Sequence, residues 1–141
     1  MKVIATGGGF DPIHEGHIEL FREARQLGDK LVVMLNSDKQ LIKKKGKTFY
    51  SSEEERKKIL ESIKYVDEVI IDPGHDITCE EALKLIKPDV LAKGGDRKEN
   101  SMPEIELTVC RELGIEIVYG VGGDKIQSSS WLIARSSKPS T

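Results

Sequence analysis

The sequence lacks the features that define several broad classes of protein. Only two of its 141 residues are cysteines, Cys79 and Cys110, and they form no Cys-x-x-Cys pair. This disfavours a disulfide framework and a thiolate metal site. No apolar run approaches the ~20 residues of a membrane-spanning helix, and the amino terminus shows no cleavable signal pattern. We therefore expect a soluble, cytoplasmic protein with reduced cysteines in or near its core.

Neither sign of charge predominates. Lys and Arg number 22 and Asp and Glu 24, which gives a formal net charge of −2. The basic residues are mixed with acidic ones along the chain, so general binding to nucleic acid or to a membrane surface is disfavoured. The sequence also lacks the Gly-x-Ser-x-Gly elbow of serine hydrolases. The Gly7-Gly8-Gly9 run fits neither of two common nucleotide-binding signatures, since it lacks the Gly-x-Gly-x-x-Gly register and the Gly-Lys-Ser/Thr of a P-loop.

Apolar runs rich in β-forming residues alternate with amphipathic stretches. The runs predict five strands, at Val3–Thr6, Leu31–Leu35, Val69–Ile71, Val90–Ala92 and Ile115–Tyr119. The amphipathic stretches predict helices at His17–Leu27, Glu53–Tyr65, Cys79–Ile86 and Glu104–Leu113, and a short final helix at Trp131–Ile133. This alternation predicts an α/β fold, a Rossmann-like doubly wound five-stranded parallel sheet with helices on both faces. The length predicts one domain, residues 1–135, followed by a flexible tail, 136–141.

Glycines and polar residues follow four of the predicted strands. These segments are Gly7–His17, Asn36–Asp38, Lys93–Arg97 and Gly120–Lys125. In open α/β sheets, ligands bind at the carboxyl ends of the strands. We therefore expect a binding site at this edge, to which Ser128–Ser130, at the start of the predicted final helix, would also contribute.

The segment Gly7–His17 places glycines, two imidazoles and a helix start directly after a strand. Unpaired N–H groups and the positive end of the helix favour an anion, and glycines allow its close approach. His14 and His17 can flank a phosphate, and Gly16 leaves room for a nucleotide. Ordinary surface or capping histidines are an equal alternative. A zinc site that includes His75 is disfavoured because no cysteine or acidic residue is suitably spaced.

The basic run Lys43–Lys47 follows the second strand. Such a run is typical of a solvated loop, but here it could also fold over a triphosphate as a lid. Ser128–Ser130 fits either a helix cap or a second phosphate site. No residue is assigned as a metal ligand, because Mg²⁺ often binds mainly through substrate phosphates and water.

His14-Glu15-Gly16-His17, preceded by Gly9-Phe10-Asp11, resembles the His-x-Gly-His signature of the cytidylyltransferase-like nucleotidyltransferase superfamily. Further segments follow in the order expected of that superfamily: Asn36–Asp38, Glu55-Arg56, Tyr65–Val69, Lys87–Asp89, Lys93–Asp96 and Ser128–Ser130. The resemblance implies transfer of a nucleoside monophosphate from a nucleoside triphosphate, with its Mg²⁺, to a small phosphorylated acceptor. Pyrophosphate is released. Related enzymes are often homo-oligomers.

Two segments indicate different acceptors and nucleotides. Lys93–Arg97 is most similar to heptose 1-phosphate adenylyltransferase domains, and Glu55–Ile70 is similar to glycerol-3-phosphate cytidylyltransferases. Cytidylyltransferases usually have Gly-Asp-Asp where Gly94-Gly95-Asp96 stands here, which favours ATP over CTP. Phosphopantetheine and nicotinamide-mononucleotide adenylyltransferases resemble the chain less. A non-catalytic nucleotide-binding regulatory module is the alternative from another class.

The resemblance implies roles for individual residues. Charge stabilisation during catalysis is assigned to His14, His17, Lys43 and Lys44. Nucleotide binding is assigned to Gly8, Gly9, Phe10, Asp11, Gly16, Lys93, Gly95, Asp96, Arg97, Ser128, Ser129 and Ser130. Binding of the acceptor phosphate is assigned to Arg56 and Lys64. Two positions depart from the pattern: Gly9 stands where Thr or Ser is common, and Lys64 where the glycerol-phosphate enzymes have Arg.

Overall fold

Five strands and five helices make up the part of the chain that the computed structural model describes, residues 1–46, 49–94 and 101–122, and they alternate except between the second and third strands, where two helices follow one another. The strands are β1 (Val3–Gly8), β2 (Lys30–Leu35), β3 (Glu68–Ile71), β4 (Val90–Gly94) and β5 (Glu116–Val121). The helices are α1 (Glu15–Arg25), α2 (Asp38–Lys45), α3 (Glu53–Glu61), α4 (Glu80–Ile86) and α5 (Glu104–Leu113). The predicted final helix and tail lie outside these residues.

The five strands form one parallel sheet in the order β3-β2-β1-β4-β5. β1 lies at the centre, and the chain builds β2 and β3 on one side of it before it crosses to β4 and β5 on the other. The order therefore reverses beside β1, which is where ligands bind in open α/β sheets. The predicted Rossmann-like parallel fold is confirmed.

Neighbouring residues of the central strands are buried against opposite faces of the sheet. Ile4 packs on the face covered by α1 and α3, and the next residue, Ala5, packs on the face covered by α4 and α5. Both cysteines lie on the second face, buried and unpaired. Because successive side chains of a strand point to opposite faces, strands buried on both sides are apolar throughout. This explains the near-continuous apolar runs of the sequence.

α2 is the one element of the described chain that the sequence analysis did not predict. Ser37 accepts a hydrogen bond from the N–H of Gln40, whose side chain bonds back to Ser37, and Gly46 ends the helix at a φ of 74°. Lys43–Lys45 therefore form the last helical turn, where cations interact favourably with the helix dipole. The prediction of a loop is therefore wrong for these three lysines, whereas their role over a triphosphate stays a prediction, and Lys47 lies outside the described residues.

Within the described ranges, none of the helices has both the length and the apolar character needed to cross a membrane.

Gly122 lies where the end of β5 approaches α1 most closely. A Cβ atom there would lie 2.6 Å from Cα of Leu20, and the residue has a φ of 94°. We expect Gly122→Ala to lower the free energy of unfolding by about 3 kcal/mol or more, since it adds a backbone clash to the strain of a positive φ. Urea titration measures this value.

Gly114 provides the matched control, because it has a similar φ of 71° but no atom within 4 Å of the point that a Cβ would occupy. Gly114→Ala should cost about 1 kcal/mol. Equal losses in the two variants would contradict the close approach of β5 and α1.

Candidate active site

Two histidines are fixed by backbone hydrogen bonds at the start of α1. Nδ1 of His14 accepts from the N–H of Gly16 at 3.1 Å, and Nδ1 of His17 accepts from the N–H of His14 at 3.0 Å. The rings stack with their centroids 3.8 Å apart. Because each Nδ1 accepts a hydrogen bond, each neutral ring carries its proton on Nε2. The His-x-Gly-His spacing thus gives two Nε2–H donors side by side.

The local environment keeps His17 neutral. Burial and, to a smaller extent, the nearby His14 lower the pKa of His17 to about 4. Its ring also contacts the edge of Phe10, with the centroids 4.9 Å apart. His17 is therefore a neutral hydrogen-bond donor at physiological pH rather than a cation.

Both histidines line a cavity of about 290 Å³ at the end of β1, which we call the histidine cavity. The remaining lining residues are Gly9, Phe10, Asp11, Pro12, Leu41, Lys44 and Lys45. A Cβ on Gly9 would lie 2.6 Å from Cδ2 of Leu41. Since Leu41 on α2 occupies this space, a hydroxyl residue at position 9 would require Leu41 to move, which explains the departure from the family pattern.

A second cavity, of about 150 Å³, adjoins the first where β1 ends, and we call it the strand-end cavity. It is lined by Gly7, Gly8, Met34, Asn36, Lys44, Ile77, Thr78, Cys79, Lys93, Pro103 and Glu106. Lys44 lines both cavities. Nζ of Lys93 lies 3.3 Å from Oε1 of Glu106, whose other oxygen accepts from the N–H of Cys79 at 2.9 Å.

Asn36 and Glu106 are lining residues that the sequence analysis did not assign to the site. Asn36 directly follows β2, and this position at the carboxyl end of a strand could have indicated that the residue lines the site. Glu106 lies on α5, where a glutamate is usually solvent-exposed, yet it is only 4% exposed here. No local sequence pattern predicts the burial of Glu106, because its carboxylate pairs with Lys93 on β4, a contact between residues in different elements of the fold.

Arg56 is buried and fully engaged by the protein, with 1% of the residue exposed. Its guanidinium donates hydrogen bonds of 2.8 to 2.9 Å to the carbonyls of Gly9, Asn36 and Ser51 and to the carboxylate of Asp38. It therefore joins the loop after β1 to the end of β2 and to the start of α2. The contact of Arg56 with an acceptor phosphate stays a prediction, and it would require the guanidinium to exchange one of these protein partners for the phosphate.

Asp11 also binds protein groups rather than presenting a free carboxylate. Its two oxygens accept from the N–H groups of Tyr50 and Ser51 at 2.8 and 2.9 Å, and Lys45 lies 3.4 Å away. Burial raises the pKa of Asp11, but these hydrogen bonds and the charge of Lys45 outweigh it and hold the pKa below its usual value. Asp11 thus connects residues 50–51 to the histidine segment, and because it also lines the histidine cavity, its contact with a nucleotide stays a prediction.

The three lysines of α2 have different surroundings. Lys43 forms an exposed ion pair with Asp76 at 2.7 Å and lines neither cavity, so its predicted catalytic position is not supported. Lys45 bonds to Asp11. Lys44, in contrast, lines both the histidine cavity and the strand-end cavity.

Lys64 is far from the other predicted site residues. It lies just before β3, and parallel strands all begin at the edge of the sheet opposite to the one where they end. Its ammonium group lies 5.2 Å from the centroid of the Tyr65 ring. Lys64 lines neither cavity, and its contact with the acceptor phosphate stays a prediction that the position of the residue does not support.

The remaining predicted site residues, Gly95, Asp96, Arg97 and Ser128–Ser130, lie outside the described residues. Among the residues that are described, no three His, Cys, Asp or Glu side chains form a group able to hold a metal ion.

Replacing Arg56 tests whether it supports the site structurally. We expect Arg56→Met to lower the free energy of unfolding by about 3 kcal/mol or more, because it leaves buried carbonyls and the Asp38 carboxylate without their donor. Arg22→Met is the matched control, since Arg22 pairs with Glu19 on the surface, where an ion pair contributes little to stability. Similar losses in denaturant titrations of the two variants would contradict the structural role of Arg56.

The low pKa of His17 predicts a specific dependence of stability on pH. The unfolded chain binds a proton at His17 near the ordinary value of 6.5, whereas the folded chain binds it at about 4. The contribution of His17 is therefore fully present above about pH 6.5 and is lost as the pH falls toward 4. Urea unfolding at pH 7 and pH 5 should show a larger loss for the wild type than for His17→Gln. The same loss in both proteins would exclude a buried neutral His17.

Comparison with known proteins identifies the family. Residues 5–131 match the family model described as cytidylyltransferase-like. The chain is 38% identical over 94 residues to "FAD synthase" of Pyrococcus horikoshii, which covers 67% of this chain and 63% of the relative. It is 37% identical over 124 residues to "Bifunctional protein HldE" of Desulfatibacillum aliphaticivorans, covering 86% of this chain and 23% of that protein. The chain thus spans less than two thirds of the length of these curated relatives.

A solved structure shares the fold over most of the chain. The lipopolysaccharide core biosynthesis protein from Thermoplasma volcanium superimposes with a TM-score of 0.71 at 32% identity, over 86% of this chain and 98% of that one. The family model matches most of the sequence, and the matched residues include the histidine pair that follows β1. The chain therefore belongs to the cytidylyltransferase-like family.

Proposed function

We propose that the protein is a nucleotidyltransferase that transfers the nucleoside monophosphate of ATP to a small sugar or polyol phosphate. The observation that carries this proposal is the pair of imidazoles whose Nδ1 atoms both accept backbone hydrogen bonds, which leaves Nε2 of each as the donor, at the wall of the histidine cavity beside Lys44. Membership of the cytidylyltransferase-like family supports it. CTP in place of ATP is the alternative nucleotide.

In the proposed reaction, an oxygen of the acceptor phosphate attacks the α-phosphorus of the nucleotide. A new P–O bond forms, the bond from the α-phosphorus to the bridging oxygen of the β-phosphate breaks, and pyrophosphate leaves with that electron pair. Little covalent help from the protein is needed, because such reactions depend on alignment and on fixed donors that stabilise charge on the phosphate oxygens. His14 and His17 supply donors held in place by the backbone, and Lys44 supplies a cation between the two cavities.

Magnesium fits this scheme as a companion of the nucleotide. The carboxylates of Asp11 and Asp38 accept hydrogen bonds from protein groups, and the described residues offer no cluster of metal ligands. We therefore expect the triphosphate and water to hold Mg²⁺, as is common for this ion. When bound, it would neutralise charge on the phosphate oxygens.

The names of the relatives suggest two kinds of acceptor. The similarity to FAD synthase raises a flavin phosphate as a second candidate. The resemblance of Lys93–Arg97 to heptose 1-phosphate adenylyltransferase domains favours a sugar phosphate. A homo-oligomeric state and a cytoplasmic location remain predictions from the sequence.

Pyrophosphate release tests the proposal directly. Each nucleoside triphosphate is offered with heptose 1-phosphate, glycerol 3-phosphate, pantetheine phosphate and riboflavin 5′-phosphate. We expect release with ATP and a sugar or polyol phosphate, and a loss of roughly 10²-fold or more in turnover in His17→Ala and Lys44→Ala, each of which removes one preorganised group.

Lys39→Ala is the matched control, because Lys39 is an exposed residue of the same helix that lines neither cavity. Its turnover should equal that of the wild type. If no combination yields pyrophosphate above the level of His17→Ala, the protein is not a transferase for these compounds. Calorimetric binding of ATP without release would instead support a regulatory nucleotide-binding module.

A further inference from the structure

Phe10 has a backbone conformation that its surroundings must maintain. It stands two residues after the end of β1 and has a φ of 49°, in the left-handed region that residues other than glycine rarely adopt. Such a conformation is unfavourable for a residue with a Cβ atom. It persists where the surrounding packing requires it, often at functional sites. The contacts of the Phe10 ring therefore show what this conformation achieves.

The ring of Phe10 packs against one face of α1, directly beside the His17 imidazole. The residue is only 6% exposed. Its ring stands perpendicular to that of His17, with the centroids 4.9 Å apart and an interplanar angle of 84°, and lies 5.3 Å from the ring of Phe21. His17 and Phe21 are four residues apart, so they share a face of the helix. Phe10 thus covers this face at the start of α1.

Gly8 leaves the space that the Phe10 ring occupies. A Cβ on Gly8 would lie 3.0 Å from Cζ and 3.3 Å from both Cε atoms of that ring. Because position 8 has no side chain, the tip of the ring can lie against the end of β1. The ring is therefore held between the strand end and α1, and its place beside His17 is fixed.

The plane of the His17 imidazole is set by its neighbours. The χ2 torsion of histidine is broad, so the side chain alone does not select one ring plane. The N–H of His14 holds Nδ1 at 3.0 Å, but a bond to one atom still lets the ring tilt. The His14 ring stacks on the imidazole, with the centroids 3.8 Å apart, and the perpendicular Phe10 ring closes a second direction. The direction of Nε2 thus depends on both rings.

Phe10 offers a ligand little surface of its own. It lines the histidine cavity, so its predicted contact with a nucleotide stays a prediction. Most of its side chain nevertheless faces protein groups, since so little of the residue is exposed. Its contact with His17 is therefore the more direct link between this residue and the chemistry of the site.

We propose that Phe10 is a positioning residue that acts through His17: its ring fixes the plane of the imidazole and so directs the Nε2 donor toward a phosphate in the histidine cavity. This inference rests on the proposed transferase function and adds a residue to its machinery. Phe10 does not touch the reacting atoms. Because a misdirected donor weakens the transition state more than the bound substrate, loss of the ring should lower turnover more than affinity.

Phe10→Leu tests the inference, because leucine keeps much of the buried apolar volume but has no flat ring. We expect kcat for pyrophosphate release to fall about 10-fold, while KM for ATP changes less than about twofold. In a His17→Ala background the same substitution should cause no further loss, since an effect exerted through His17 disappears with it. An equal loss in both backgrounds would overturn the inference. Phe10→Met should give the same results if the leucine variant does not fold.

NMR of the imidazole nitrogens provides a readout that does not require activity. At pH 7 the ¹⁵N shifts of His17 in the wild type should show one tautomer, with the proton on Nε2. In Phe10→Leu they should move toward the average of the two tautomers, because the ring can turn away from the N–H of His14. Unchanged shifts would overturn the inference. Shifts that respond to Phe10→Leu in a protein that releases no pyrophosphate with any acceptor would show that the transferase function fails while the positioning of His17 stands.

Leu31→Val is the matched control for a loosened core. Leu31 belongs to the same buried cluster as Phe10 but lies near the start of β2, at the opposite edge of the sheet. This variant should melt at a lower temperature, yet keep the turnover and the His17 shifts of the wild type. A loss of turnover equal to that of Phe10→Leu would assign the effect to general loosening and overturn the inference.

Discussion

The arrangement of the site depends on the buried guanidinium of Arg56. Its donors hold the carbonyls of Gly9 and Asn36, which follow adjacent strands, and the carboxylate of Asp38 at the start of α2. Burying a charge is costly unless it is paired and hydrogen-bonded, so these partners are constrained together. The side chain of Arg56 thereby fixes the positions of the histidine segment, of Asn36 and of helix α2, which carries Lys44, relative to one another.

The chemical character of the site comes mainly from the backbone. Backbone N–H groups at the start of α1 fix both imidazole rings and leave their protons on Nε2. Burial then keeps His17 neutral. In the proposed reaction these two donors would need no reorganisation as charge develops on a phosphate, and such preorganisation is usually the largest single contribution to catalysis. The His-x-Gly-His motif is thus explained by the geometry of the helix start, where backbone N–H groups bind the Nδ1 atoms of both histidines.

Much of the fold follows from the sequence because strands buried on both faces are apolar throughout, as around Ile4 and Ala5. α2 was missed because its segment Asp38–Lys45 has few apolar residues, although the Ser37–Gln40 capping pair was a usable signal. Within the site, the motif located His14 and His17 correctly at the end of β1. The structural role of Arg56 was not predicted, because a sequence does not show whether a cation has hydrogen-bond partners inside the protein. The burial of Glu106 depends on contacts between α5 and β4 that no local pattern contains.

The central claim is the proposal that the protein transfers the nucleoside monophosphate of ATP to a sugar or polyol phosphate in the histidine cavity. Following the label of [α-³²P]ATP in the presence of heptose 1-phosphate tests it most directly. The account predicts that the label moves into a nucleotide-linked sugar while unlabelled pyrophosphate is released. Label that stays in ATP with every sugar and polyol phosphate, or that moves only to riboflavin 5′-phosphate, would contradict it.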